Sequence, residues 1–234
     1  MGKSYDITEI KHQSLGSVLA DFQICQHCHI VDRDSDRIMV GHPCSNCGKP
    51  SPSGRGYFNL SVHTLINLIQ EFFHKDKPEE KDSPDSGRYG VSSKKNAKVA
   101  VVVFFVTLRE VLLENLLYDL MIAQKLPGNV CKRLFADSPM HRQRLEKLFP
   151  SLAGVTWKTA LNTMNEKCEL DYIELDSFVR ETVDARNKFL HKGSKYAITE
   201  KMAEECLKKV WPLLNLHVYL HNEYVVPYYR DDEK

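Results

Sequence analysis

The feature that most constrains the fold of this chain is a pair of cysteine motifs near its N-terminus. Cys25 and Cys28 form one Cys-x-x-Cys motif, and Cys44 and Cys47 form a second after a gap of fifteen residues. Each motif makes a tight turn that presents two sulfurs, and the intervening segment folds back to bring the turns together. Gly48 follows the second motif, where the turn favours a residue that tolerates positive φ. The spacing predicts one structural Zn²⁺ ion bound by four thiolates.

The segment between the two motifs predicts two short strands. Residues 30–31 and 38–40 are apolar, and the polar run 32–37 between them favours a turn. The unit as a whole resembles a zinc ribbon. His27 and His29 flank the first motif, so either imidazole is an alternative ligand in place of one cysteine. Four protein ligands fill a tetrahedral sphere, and no position is then open for catalysis.

Turn-rich and polar segments divide the remainder of the chain. Residues 50–56 are rich in Pro, Ser and Gly, which predicts a boundary between a ribbon domain at 1–57 and a second domain at 58–234. Residues 75–96 are charged, rich in Pro, Ser, Gly and Asp, and without an apolar period. They predict a mobile loop inside the second domain.

Apolar residues recur at helical spacing through most of the second domain. Ser61 and Thr199 are suited to cap helix N-termini, and Gly193 is suited to a C-terminal stop. Pro212 is expected to kink the last helix. The four main helices are predicted at 61–74, 98–126, 172–191 and 199–224, with shorter ones near 131–135, 139–149 and 156–167. An apolar stripe on each main helix predicts a mainly α fold, an up-and-down bundle preceded by the small β ribbon.

Charge and hydropathy exclude several classes of protein. The formal net charge is +1, which argues against coating nucleic acid by bulk charge. The longest apolar run, 99–106, is too short to span a bilayer, and the N-terminal residues carry no apolar signal region. Seven cysteines, an odd number, suit a reducing compartment. We therefore expect a soluble, cytoplasmic protein without a membrane partner, in which Cys131, Cys168 and Cys206 are inert buried thiols.

The main functional signal lies at residues 186–191, near the end of the third main helix. Arg186 is followed directly by Asn187, and His191 comes five positions after the arginine. A guanidinium keeps its charge and holds a phosphate through a fixed fork of donors. An imidazole gives or takes a proton near neutral pH. Within 186–201 there are five cations and one acid, so the local charge favours a phosphate.

These residues and the order of the helices around them resemble the HEPN superfamily, small helical domains of which many are metal-independent RNA endonucleases. The resemblance covers the chain from about residue 58 to its end. It implies that Arg186 and His191 are catalytic and that Asn187 orients the phosphate or the histidine. RNA would be cut by its own 2′-hydroxyl, leaving 2′,3′-cyclic phosphate ends. Many members are toxins or act in antiviral defence, which implies a conditional role and a neutralising or regulatory protein partner.

Helix geometry separates the two catalytic candidates within one chain. Five residues of an ideal helix turn about 500°, so Arg186 and His191 point roughly 140° apart. Either the helix ends before His191, or two subunits share the site. The resemblance favours a homodimer with a composite active site. Lys188, Lys192 and Lys195 are expected to bind the substrate.

Other charged residues have two interpretations. Glu110 and Glu114 are one helical turn apart, and they either form a solvated stripe or let one carboxylate hold Arg186; Glu110 is counted with the substrate-binding residues. His217 and His221 have a metal-binding spacing but no third ligand nearby, so they are expected to be ordinary helix-face residues. The basic residues within 132–147 are expected to form a solvated face rather than an RNA-facing patch. Two further functions stay open, a non-catalytic HEPN-like RNA- or protein-binding module and an adaptor whose bundle only dimerises.

Overall fold

A computed structural model of the chain describes residues 22–32, 43–44, 46–50, 55–74, 93–167, 171–194 and 197–230. This part of the chain is mainly helical, with a small antiparallel sheet near its N-terminus. The predicted mainly α class with a small N-terminal β unit is therefore confirmed. Within the described residues, no helix combines the length and the apolar character needed to cross a membrane.

The sheet consists of three strands of two residues each. Strand β1 (Gln23–Ile24) lies in the middle, and β2 (Val31–Asp32) and β3 (Arg55–Gly56) pair with it on either side in antiparallel register. Strand β2 overlaps the predicted strand at 30–31, whereas β1 and β3 were not predicted. The predicted strand at 38–40 lies outside the described residues.

Most of the remaining described residues are helical. A single π-helical turn (Arg144–Leu148) interrupts the region between the fourth and fifth helices. The helices are α1 (Leu60–His74), α2 (Ser93–Ala123), α3 (Gly128–Asp137), α4 (His141–Gln143), α5 (Phe149–Ala153), α6 (Trp157–Lys167), α7 (Tyr172–Lys192), α8 (Glu200–Tyr224) and α9 (Val226–Arg230).

Helix α1 begins slightly earlier than predicted. The prediction of Ser61 as its N-cap is wrong, because the Val62 amide donates to the side-chain oxygen of Asn59 at 3.2 Å. Ser61 lies inside the first turn and is exposed. Asparagine is as good a cap as serine, so residue type alone did not separate the two positions.

Helix α2 is shifted toward the N-terminus relative to the prediction. It begins at Ser93, so residues 93–96 are helical and not part of the predicted loop, whose other residues, 75–92, lie outside the described ones. It ends at Ala123 rather than at residue 126. Lys125 adopts a φ of 57°, a left-handed conformation that a continuing right-handed helix excludes.

The ends of α7 and the start of α8 follow the sequence signals. Gly193 takes a φ of 62° at the end of α7, and the Thr199 side chain accepts a hydrogen bond from the Met202 amide at 3.1 Å. Both predictions are confirmed. Asp171 caps the start of α7 by accepting from the amides of Ile173 and Glu174.

Helix α2 is the central element of the core. It packs against α1, α7 and α8, and Phe105, Leu108 and Leu116 on it are fully buried. The N-terminal unit joins the same core, since the Phe22 ring stacks on Trp211 of α8 with centroids 5.8 Å apart. Burial of each large apolar side chain stabilises the fold by about 1.5–3 kcal/mol, so tertiary packing holds α2 in place.

Candidate functional site

Four cysteine sulfurs converge near the N-terminus. The Sγ atoms of Cys25, Cys28, Cys44 and Cys47 all lie within 4.8 Å of one another. Cys25 and Cys47 are 3.9 Å apart, and Cys28 and Cys44 are 3.8 Å apart. Sulfurs bound at about 2.3 Å to one tetrahedral ion would be about 3.8 Å apart. Burial raises the pKa of the Cys28 thiol to about 12, so a thiolate there needs a nearby cation. The four residues can therefore hold a metal ion.

The two turns that present the sulfurs have the same backbone pattern. The His29 amide donates to the Cys25 carbonyl at 2.9 Å, and the Gly48 amide donates to the Cys44 carbonyl at 2.8 Å. His29 and Gly48, at matching positions, adopt φ of 57° and 70°. The prediction for Gly48 is confirmed. The left-handed conformation of His29 was not predicted, although histidine is among the non-glycine residues enriched there.

Neither histidine beside the first turn belongs to the sulfur cluster. The Nε2 atom of His27 lies 3.1 Å from the Pro50 carbonyl, and the His29 ring stacks on Tyr229 of α9 with centroids 3.7 Å apart. In the part of the chain that the structure describes, the metal-binding cluster consists of the cysteines.

Helix α8 fixes the first turn to the helices through polar side chains. The Asn222 amide accepts from the Val31 backbone N–H at 2.8 Å and donates to the Val31 carbonyl at 2.7 Å. The His221 ring lies 3.0 Å from the His29 carbonyl and 3.2 Å from Asp119 of α2. The prediction of His221 as an ordinary helix-face residue is therefore wrong, because it is buried and bridges three segments.

The motif helix α7 brings Arg186 against α2. Its Nη2 atom donates to Glu110 Oε1 at 2.9 Å, and its Nη1 atom donates to Oε2 at 3.3 Å. The arginine side chain is 17 % exposed and the glutamate 30 %. Of the two interpretations of Glu110, the one in which it holds Arg186 is thus the one observed, and the solvated stripe is wrong. A two-point pair fixes the plane of the guanidinium.

The other motif residues face outward to different degrees. Asn187 is half-buried, whereas His191, Lys188 and Lys192 are exposed. The helix continues through Lys192, so His191 does not escape the helical geometry and points away from Arg186. Of the predicted substrate-binding cations, Lys195 lies outside the described residues.

A second arginine pairs with the other of the two carboxylates on α2. Arg144, in the π-helical turn, pairs with Glu114 of α2 and donates from Nε to the Ser138 carbonyl at 3.0 Å. Its side chain is only 16 % exposed. The expectation that the basic residues of 132–147 form a solvated face is wrong for Arg144, since it lies against α2. It is correct for Arg142, which is 82 % exposed.

A buried ion pair involves Asp176, which lies nearer the start of α7 than Arg186. Asp176 is 3.8 Å from Arg109 of α2, accepts from Trp157 Nε1 at 3.1 Å and accepts from Arg180 Nε at 2.8 Å. Arg109 is 5 % exposed and Asp176 9 %. Burial lowers the pKa of Arg109 to about 10, against the opposing effect of Asp176. The pair contributes to the core rather than to an open site.

Two histidines, the half-buried His141 and the fully buried His217, lie near these arginines. Burial, together with the charges of Arg109, Arg144 and Arg186, lowers the pKa of His141 to about 3. Burial and Arg109 lower the pKa of His217 to about 3. His217 is 2 % exposed, so the prediction of a helix-face residue is wrong for it as well. Neither histidine was predicted to lie near the motif, because they come from α4 and α8, distant in sequence.

Three cysteines lie outside the two Cys-x-x-Cys motifs. Cys131 and Cys206 are buried free thiols, as predicted, and Cys168 lies outside the described residues. Burial raises the pKa of Cys206 beyond its ordinary value, which makes it a poor nucleophile.

Comparison of the chain with protein-family models, with curated proteins and with solved structures finds no match. The function is therefore inferred from the residues and their geometry.

Proposed function

We propose that the chain is a metal-independent endoribonuclease of the HEPN type, with Arg186 and His191 as its catalytic residues. The observation that carries the proposal is the two-point pairing of Arg186 with Glu110, because it orients a guanidinium at the solvent edge of the motif helix. His191 lies exposed in the last turn of that helix.

The reaction would be an attack of the RNA 2′-hydroxyl on the adjacent phosphorus. One histidine accepts the 2′-hydroxyl proton as the new P–O bond forms, and the bond to the 5′-oxygen breaks as that oxygen takes up a proton. Arg186 stabilises the negative charge on the phosphate in the transition state, and Asn187 orients the phosphate or the histidine. The products are a 2′,3′-cyclic phosphate and a 5′-hydroxyl. Lys188, Lys192 and Lys195 would bind flanking phosphates.

The active site would be shared by two chains. Arg186 and His191 diverge by roughly 140° on an uninterrupted helix, so a His191 from a second subunit would face Arg186 across a two-fold axis. Leu190, next to His191, is 58 % exposed, and an apolar side chain of this size beside the motif fits a subunit interface.

The four cysteines would hold one Zn²⁺ ion with a structural role. A full set of four thiolates is typical of structural zinc sites and leaves no ligand position for a substrate. His221 contacts the first turn at His29 and Asn222 holds Val31 of β2 just after it, and these contacts support this role because they fix the metal unit to α8. The proposed nuclease step does not use the metal.

The proposed setting is the cytoplasm, with RNA as substrate and a role as a toxin or antiviral effector controlled by a regulatory protein. This setting rests on the resemblance to HEPN proteins. In the alternative function, a non-catalytic RNA- or protein-binding module, Arg186 would still bind a phosphate but His191 would be dispensable.

The test is incubation of the purified protein with total RNA in EDTA, followed by analysis of the fragment ends. Cleavage with cyclic-phosphate ends is expected for the unaltered protein and is expected to be lost in His191→Ala. His74→Ala is the matched control, because His74 is also an exposed histidine in the last turn of its helix. Full cleavage by His191→Ala would refute the assignment, and RNA binding without cleavage by any variant would favour the binding module.

A further inference from the structure

The ring of His221 on α8 lies between two hydrogen-bond acceptors. Its Nδ1 atom is 3.2 Å from Oδ2 of Asp119 on α2, and its Nε2 atom is 3.0 Å from the main-chain carbonyl of His29. The His221 side chain is 3 % exposed. Both distances allow a hydrogen bond, so each ring nitrogen has one defined partner.

The chemistry of these two partners determines what the ring must supply. A carbonyl oxygen and an ionised carboxylate both accept hydrogen bonds and neither donates one. A neutral imidazole carries one N–H, so its other nitrogen would turn a lone pair toward an acceptor. That contact would leave two buried atoms without a hydrogen bond, which costs free energy. An imidazolium carries two N–H groups and satisfies both partners.

The competing interpretation places the proton on Asp119. A protonated carboxyl group could donate to Nδ1 of a neutral ring, whose Nε2–H would then donate to the His29 carbonyl. The Asp119 side chain is 34 % exposed, however, and contact with water favours the ionised carboxylate. The proton therefore belongs on His221, which is buried and has two acceptors.

Three other titratable groups lie around the ring. The Tyr57 ring centroid is 4.9 Å from that of His221, and His29 and Tyr229 stack on each other. Burial and the charge of Asp119 raise the pKa of both tyrosines above their ordinary value, so both phenols are uncharged at neutral pH. Among the described residues, Asp119 is the charged group that contacts His221.

The three hydrogen-bonded groups come from different parts of the fold. His29 directly follows the first cysteine turn, whereas Asp119 and His221 lie on α2 and α8. Asn222, the next residue, holds both backbone groups of Val31 in β2. Hydrogen bonds from a charged donor are stronger than those from a neutral one, so an imidazolium would join the metal unit firmly to both helices.

We propose that His221 is an imidazolium at neutral pH and that its charge clamps the metal unit onto α2 and α8, with an attachment that weakens as the pH rises. A histidine in water titrates near 6.5, so the attached unit holds a proton that a detached unit releases. The stabilisation is present at low pH and is lost as the pH rises and the ring gives up its second proton.

The first test reads the protonation state of the ring in the unaltered protein. Proton and ¹⁵N NMR at pH 7 should show a hydrogen on both ring nitrogens of His221 and similar ¹⁵N shifts for the two, as in an imidazolium. The signals are assigned by their absence from His221→Gln. A ring with one protonated and one bare nitrogen as the main species would overturn the proposal.

The second test replaces the charge of Asp119 and keeps the shape of its side chain. In Asp119→Asn the amide can donate to a bare Nδ1, so a neutral ring would satisfy both partners. The ring should then carry one N–H, at Nε2, at pH 7. Asp137→Asn is the matched control, because Asp137 is 68 % exposed and pairs with Arg133 on α3; it should leave both ring protons in place. The same ring state in Asp119→Asn as in the unaltered protein would overturn the role of Asp119.

The third test measures the pH dependence of the attachment. The Val31 amide donates to Asn222 beside His221, so its protection from hydrogen exchange, relative to an unstructured amide, reports whether the metal unit is attached. Protection should fall about tenfold between pH 6 and pH 9 in the unaltered protein, because bonds from a charged donor give way to a bond from a neutral one. It should stay constant in Asp119→Asn, which has the same cysteine cluster. An equal pH dependence in the two proteins would overturn the clamp.

Discussion

Acidification from pH 7 to pH 5 should destabilise the fold through His141 and His217. Burial and neighbouring arginines lower the pKa of each to about 3 in the folded protein, whereas a histidine in an unfolded chain titrates near 6.5. Above pH 6.5 both states hold neutral rings, and the full stability is present. As the pH falls from 6.5 toward 3, the unfolded chain binds protons that the folded chain does not, so stability is lost.

The magnitude follows from the width of this pH window. Each pH unit below 6.5 costs about 1.4 kcal/mol per histidine. Between pH 7 and pH 5, His217, which is 2 % exposed, should therefore reduce the free energy of unfolding by about 2 kcal/mol. His141 should contribute somewhat less, because its ring nitrogens are buried but its side chain as a whole is only partly so.

The assay is urea unfolding followed by circular dichroism at pH 7 and pH 5. The unaltered protein should lose about 2 kcal/mol more than His217→Gln between the two pH values, because glutamine does not titrate. Comparing the two proteins cancels the contributions of carboxylates and of the cysteine cluster. His191→Gln serves as the control, since His191 is exposed, and it should lose as much as the unaltered protein. Equal losses for the unaltered protein and His217→Gln would refute the account of a buried neutral histidine.

Three further predictions concern the buried pairs and the metal unit. Asp176→Ala should lower the free energy of unfolding by about 3–5 kcal/mol, because Arg109, 5 % exposed, loses its buried partner. The double variant Asp176→Ala with Arg109→Met should recover most of this loss. A loss below about 1 kcal/mol in Asp176→Ala would contradict the reason given. Asn222→Ala should cost about 1–3 kcal/mol and speed hydrogen exchange at the Val31 amide, since both backbone groups of Val31 lose a side-chain partner; unchanged exchange would show that the contact is not formed in solution. Chelation of the metal under reducing conditions should release one ion per chain and expose Tyr229, which stacks on His29. The helical signal of circular dichroism should stay largely intact. A purified chain that contains no metal would contradict the assignment of the cysteines.

Local sequence signals predicted the helices and turns better than the contacts between them. The helices, the cap at Thr199, the stop at Gly193 and the two cysteine turns follow from residue type and spacing, because each depends on neighbours along the chain. At the start of α1, signals of equal strength at neighbouring positions were the source of error. Asn59 and Ser61 are both good caps, and only the structure shows that Asn59 is used.

The contacts around the candidate site depend on residues far apart in sequence. Glu110 and Arg186 are 76 positions apart, and Glu114 and Arg144 are 30 apart. A spacing of four on α2 indicated a shared helix face but not which arginines would meet it. His141 carries no motif and comes from a short helical turn next to a π-helical one, so no periodic pattern marked it.

Mixing two inactive variants tests the central claim that Arg186 and His191 act in a site shared by two chains. Arg186→Ala and His191→Ala are unfolded together, refolded as a mixture, and assayed for RNA cleavage in EDTA beside each variant alone. A composite site predicts recovery of about a quarter of the unaltered activity, since half of the randomly paired dimers would carry one intact site of two. No recovery in mixtures shown to contain mixed dimers would contradict the shared site.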